Sequence, residues 1–140
     1  MENTNNDKKI SQSHSFMRFL FKLPAPIIII TLAILSSHSS LPGVQLFPGI
    51  DKFYHFVAYG ALGVAFGLWF SRESWLKQPL RNFLICTAIV SIYGAIDEIH
   101  QYFVPDRVCD VWDWVADTLG GAAGAGVVLL CNRIIIRRDK

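Results

Sequence analysis

Apolar residues along this chain gather into four long runs separated by short polar segments. The first extends from about Leu23 to Leu41 through Ile27-Ile28-Ile29-Ile30 and Leu32 to Leu35. The second runs from about Lys52 to Phe70, the third from about Phe83 to Phe103 and the fourth from about Trp114 to Cys131. Each approaches the ~20 residues that cross ~30 Å of hydrocarbon at ~1.5 Å per helical residue. Backbone groups in lipid need partners within their own segment, so the runs are expected as helices. Met1 to Ser15 is polar and reads as a disordered tail. The expected layout is an N-terminal cytoplasmic tail over residues 1–18, a four-helix transmembrane domain over 19–136 and a basic cytoplasmic tail over 137–140.

Composition narrows the class. The chain has 140 residues, of which 52% are hydrophobic and 17% charged. A soluble helical bundle this short would need a polar shell, because small domains keep much of their surface in water, and the residues to build that shell are lacking. A cleaved signal peptide is the other reading of the first run, since Lys8, Lys9, Arg18 and Lys22 precede it and Ser36 to Ser40 follow. The leader is long for that role and no A-x-A site ends the run, so an uncleaved first span is expected.

Charge placement adds an orientation. Lys8, Lys9, Arg18 and Lys22 precede the first run, Arg72, Lys77 and Arg81 lie between the second and third, and Arg133, Arg137, Arg138 and Lys140 follow the fourth. Only Lys52 and Arg107 fall on the other side. The positive-inside rule then puts both termini and the middle loop in the cytoplasm, with Trp69 and Trp75 at the inner interface and Trp112 and Trp114 at the outer one. The acids are distributed in the opposite sense. Asp51, Asp97, Glu98, Asp106, Asp110, Asp113 and Asp117 all belong to the outer half, with His55 and His100 beside them. An isolated charge in a bilayer costs roughly 2.5 to 3.5 kcal/mol even on insertion scales, so these groups should face the bundle interior or water and pair.

Helical periodicity brings them together. Asp51, His55 and Tyr59 recur at i, i+4 and i+8 on one face, with Lys52 a turn from His55. Asp97, His100 and Gln101 share a face of the third helix, flanked by Glu98 and Tyr102, and Asp110, Asp113 and Asp117 fall at i, i+3 and i+7 of the fourth. Toward the other end, Gly120-Gly121-Ala122-Ala123-Gly124-Ala125-Gly126 and the pair Gly63 and Gly67 carry small-xxx-small spacings that let helices approach closely. A nucleotide-binding glycine loop is the competing reading, but no strand, P-loop lysine or dinucleotide spacing accompanies it. HExxH, CxxC and G-x-S-x-G motifs are absent, and Cys86, Cys109 and Cys131 give no disulfide framework. The basic segments follow topology and lack interleaved aromatics, so no nucleic acid is expected as a partner.

Two blocks of these residues resemble the VanZ-like family pattern. One is Asp51-Lys52-x-x-His55-x-x-x-Tyr59-x-x-Leu62-Gly63. The other is Asp97-Glu98-x-His100-Gln101, then Pro105-x-Arg107-x-x-Asp110-x-x-Asp113 and Asp117-x-x-Gly120. Asp117 departs from the pattern, where Asn is expected in many relatives. The resemblance implies a multi-pass cell-membrane protein and, through the family's name, an association with resistance to the glycopeptide teicoplanin. No settled reaction comes with it.

The fold class expected is therefore all-α, a four-helix transmembrane bundle with both ends inside. The expected outer-face binding site comprises Asp51, Lys52, His55, Tyr59, Asp97, Glu98, His100, Gln101, Arg107, Asp110 and Asp113. Three functional readings stay open. The cluster binds a cell-envelope component, with Arg107 holding a phosphate or carboxylate and Lys52 adding charge. Alternatively it belongs to a membrane enzyme acting on a lipid-linked or peptidoglycan substrate, with His55 or His100 as general acid/base, Asp97 orienting the imidazole and Glu98 as a second base. In the third reading Asp97, Glu98, Arg107 and Asp113 form an ion-pair network that only ties helix ends together. A transporter fits less well, because the polar trail stops in the outer half. A divalent metal on His55, His100 and carboxylates is poorly specified by these spacings, so no metal is assigned and any cofactor stays unknown.

Overall fold

The computed structural model describes residues 16–39 and 49–138. The expected N-terminal tail over 1–15, the expected end of the first span at Leu41 and residues 139–140 lie outside the described residues. A helical stretch over 16–20 leads into α1, Pro24–Ser36. It is followed by α2, Ile50–Gly67, the short α3, Arg72–Lys77, α4, Pro79–Gln101, and α5, Val111–Arg138. Among the described residues there is no strand.

Local chemistry explains most boundaries. Pro24 occupies the first turn of α1, where its missing N–H costs nothing. Gly49 adopts φ 83° ahead of α2, a left-handed conformation that favours glycine. The Ser71 side chain accepts from the backbone N–H of Ser74 and caps α3, whose Glu73 and Lys77 pair at 2.7 Å. Pro79 starts α4, four residues before the expected Phe83. At the start of α5, Asp110 Oδ1 accepts from Trp112 N at 2.9 Å and so caps the helix, which begins at Val111 rather than Trp114. Helix α3 was not expected at all, and Trp75 within it is no interfacial anchor. It is buried, and its indole N–H donates to Gly67 O at 2.9 Å, tying α3 under the end of α2.

The helices run up and down. The C-terminal end of α1 meets that of α4 through Ser37 and His100, and the N-terminal turns of α2 and α5 meet at that same end through Lys52, Asp110 and Asp113. Helix α2 packs chiefly on α5, α4 also packs on α5, and α1 touches α2 and α4. The seam between α2 and α5 is built from glycine. A Cβ on Gly120 would strike the carbonyl of Phe56, one on Gly124 the carbonyl of Gly60, and one on Gly63 the carbonyl of Gly121. The glycine-rich stretch is thus a site of close helix approach, as its spacing suggested.

The outside of this bundle is apolar. Ile27, Ile30 and Ile34 of α1, Leu80, Leu84, Ile92, Ile96 and Ile99 of α4, and Leu119, Val127 and Leu130 of α5 are all exposed, while Asn82, Asp97, Glu98 and Asp117 are buried. Three helices are long and apolar enough to cross a membrane: Phe16–Ser36, Pro79–Gln101 and Val111–Ile135. Helix α2 is not among them, since Asp51, Lys52 and His55 occupy its first two turns.

The seam makes a sharp prediction. Replacing Gly124 by Ala should destabilise the bundle by an amount at or above the ~1–3 kcal/mol of ordinary overpacking, because the obstacle is backbone. Gly126→Ala should be neutral or slightly stabilising, since its Cβ would meet only Phe83 at 4.0 Å. Thermal unfolding of the two purified variants in detergent checks the contrast.

Candidate functional site

Three helices contribute to one polar cluster at the end of the bundle where α2 and α5 begin and α4 finishes. Lys52 is its hub. The ammonium lies 2.7 Å from Asp110 Oδ2, 3.1 Å from Asp113 Oδ1 and 3.2 Å from Asp51 Oδ2. The Lys52 ammonium beside Asp110 holds that carboxyl below the usual carboxylate range, and the capping bond from Trp112 N acts in the same direction. One turn deeper, His55 Nδ1 sits 2.9 Å from Asp117 Oδ1. The His55 ring stacks on Tyr59 at a centroid distance of 6.1 Å, and Tyr59 in turn lies against Tyr93 of α4.

Helix α4 closes the third side. Glu98 Oε2 accepts from the backbone N–H of Asp110 at 2.9 Å, which fastens the start of α5 to the end of α4. Gln101 Nε2 donates to Asp97 Oδ2 at 3.2 Å and lies 3.5 Å from Glu98 Oε1. The absence of a side chain at Gly94 makes room for Asp117, because a Cβ there would stand 2.8 Å from Asp117 Oδ2. Below this level, Ser91 and Thr118 share a hydrogen bond of 2.8 Å, and Trp114 Nε1 donates to Ser91 O.

Exposure falls steadily with depth. Side chains are 56% exposed at Asp51, 34% at Lys52 and Asp110, 18% at His55, 11% at Asp113 and 0% at Asp117. The cluster is therefore funnel-like in its exposure, with an accessible rim and a buried floor. On that floor Asp117 Oδ2 has no hydrogen-bond partner among the described residues, and the Tyr59 hydroxyl lies toward the Asp97 carboxyl. An orphaned buried atom such as Asp117 Oδ2 is uncommon and calls for a physical account. One ligand atom from each of His55, Glu98 and Asp117 can be chosen so that all three lie within 4.8 Å of one another.

Nine of the eleven residues expected from the sequence gather here. His100 and Arg107 stand apart. His100 is exposed and its Nε2 bonds Ser37 Oγ at 3.0 Å, since one residue places it about 100° around the helix from Gln101, toward α1. Arg107 donates from Nε to His38 O at 3.1 Å and from Nη2 to Leu35 O at 3.3 Å. These are carbonyls at and just beyond the end of α1, where an arginine satisfies acceptors that the helix leaves free. Asp117, left out of the expected site, forms its floor. Its spacing of seven from Asp110 was the signal that it shares their face.

The family resemblance now has an independent check. The VanZ/LLP1 family model matches residues 2–132. The chain belongs to this family. Neither a curated protein nor a solved structure matches it. Membership of the VanZ/LLP1 family and three long apolar helices together make this a membrane protein.

The hub can be tested alone. Lys52→Met leaves Asp110 and Asp113 facing each other without a cation and should lower the melting temperature by roughly 3–6 °C, the shift that a loss of ~1 kcal/mol gives in a domain of about this size. Lys52→Arg should keep most of that stability. Equal melting temperatures for Met and Lys at position 52 would show that the three contacts contribute nothing to stability.

Proposed function

We propose that this member of the VanZ/LLP1 family is a four-span protein of the cell membrane with both termini in the cytoplasm, and that its funnel opens to the outer face to bind a cell-envelope component. The fall in exposure from Asp51 to Asp117 carries this reading, because it gives the cluster a single direction of access. Helix α2 supports the fourth span. Its 18 residues rise ~27 Å at ~1.5 Å per residue, and it lies against α5 with Lys52 and His55 turned toward that helix. The basic residues support the orientation, as Arg72, Lys77, Arg81 and Arg133 all lie toward the end opposite the funnel.

Lys52 and Arg107 are both engaged by the protein itself, so recognition of the envelope component rests mainly on the carboxylates and His55. A contribution to teicoplanin resistance is the role that the family's name suggests. The bond between His55 and Asp117 favours a second reading, a membrane enzyme in which Asp117 orients His55 as general acid/base. In that case Asp117, rather than Asp97, is the residue that orients the imidazole.

The test is teicoplanin susceptibility of a sensitive host making wild-type protein or Asp97→Asn at matched membrane abundance. Asn at position 97 retains an acceptor for Gln101 but removes the charge. The wild type should lower susceptibility at least several-fold and the variant should not. Protection by both would show that the Asp97 charge has no part in the function. Turnover of a lipid-linked substrate by the purified protein, lost in His55→Gln, would favour the enzyme.

A further inference from the structure

The floor of the funnel has the makings of a metal centre. Four buried carboxylates, those of Asp97, Glu98, Asp113 and Asp117, face one lysine and one histidine. Lys52 is shared among three acids, one of them Asp113, and makes no contact with Glu98 or Asp117. Carboxyl groups thus outnumber cations in the least hydrated part of the cluster, where an uncompensated charge is least tolerable. Such an excess alone would not define a site. The second observation is the Asp117 carboxylate, fully buried and packed against Gly94, whose Oδ2 has no hydrogen-bond partner among the described residues.

We propose that His55, Glu98 and Asp117 bind a divalent transition-metal ion of the zinc class. One imidazole nitrogen and two carboxylate oxygens suit such an ion, at ~2.0–2.2 Å from each donor. Donors in a tetrahedral shell of that radius stand about 3.4 Å apart, and the three here lie within 4.8 Å of one another. Each ligand is already held by a neighbour. Glu98 is fixed by the backbone N–H of Asp110, His55 by its stack on Tyr59, and Asp117 by its close fit against Gly94. Outer contacts of this kind orient ligands in metal sites. This inference deepens the reading of the funnel as a binding site and rests on it. The ion would supply the positive centre that Lys52 and Arg107, already engaged, do not offer an anionic group.

The experiment uses the purified full chain in detergent, stripped with chelator and titrated with Zn2+ alone. Its readout is separate from antibiotic susceptibility, so failure here leaves the envelope-binding reading standing. One Zn2+ per chain is expected, with binding weakened at least ~10-fold in Glu98→Gln and in Asp117→Asn and unchanged in Cys109→Ser. Less than stoichiometric binding by wild type, or full binding by both acid variants, overturns the site. Should the variants fail to fold, Co2+ loaded into wild type decides. Bands of an oxygen- and nitrogen-bound ion support the site, and a thiolate charge-transfer band or no bound ion overturns it.

Discussion

The backbones of α2 and α5 meet where Gly60 and Gly63 oppose Gly120, Gly121 and Gly124, and at Gly63, Gly120 and Gly124 no side chain fits. Lipid offers helices no hydrophobic reason to associate, so close van der Waals packing of this kind must hold them together. The consequence for chemistry lies at the ends of the two helices. Because the backbones run so near one another, the first turns of α2 and α5 stand face to face, and Lys52 and His55 reach Asp110, Asp113 and Asp117 directly. With a wider seam the same residues would project into lipid or water as isolated charges. Packing at one level thus makes ion pairing available at another.

Pairing alone does not explain the arrangement found. If the cluster served only to tie helix ends, each polar atom should be matched, because a half-satisfied network in a dry interior is costly. Near the rim that condition holds. Lys52 has three carboxylate partners, and Asp110 both caps α5 and donates its N–H to Glu98. Deeper in, among the described residues, it fails at Asp117 Oδ2. An unpaired carboxylate oxygen at the buried end of the cluster, beside matched groups at its rim, suits a site that awaits an occupant. Arg107 makes the contrast plain, since its guanidinium is spent on the carbonyls of Leu35 and His38 and acts as a clamp on α1.

How much of this was legible in the sequence depends on whether a feature follows from helical period. Asp51, His55 and Tyr59, and likewise Asp110, Asp113 and Asp117, are spaced so that any helix would align them, and the structure does so. The glycine spacings announced a close seam in the same way. Features set by three-dimensional neighbours were hidden. His100 follows Asp97 by three residues and Gln101 follows it by four, yet that single step sends one to Ser37 and the other into the cluster. Nothing in the sequence shows that Arg107 would find backbone carbonyls rather than an anion. Helix α3 escaped notice although Ser71 and Pro79 bracket it with ordinary start signals, because the charges around Trp75 read as a loop. Helix α2 is less apolar than the three long helices for the reason that makes it interesting: its polar turns build the site.

The central claim is that the funnel faces outward from a four-span bundle, and Cys109 is well placed to report on it. This thiol is exposed and adjoins Asp110 at the rim, whereas Cys86 is buried within α4 and Cys131 lies near the opposite end of α5. The decisive measurement is labelling by a membrane-impermeant maleimide in right-side-out vesicles, with Cys109→Ser as the control. The account predicts labelling of Cys109 without permeabilisation and its loss in the control. Labelling of Cys109 only after the membrane is opened would place the funnel on the inner face and contradict the account.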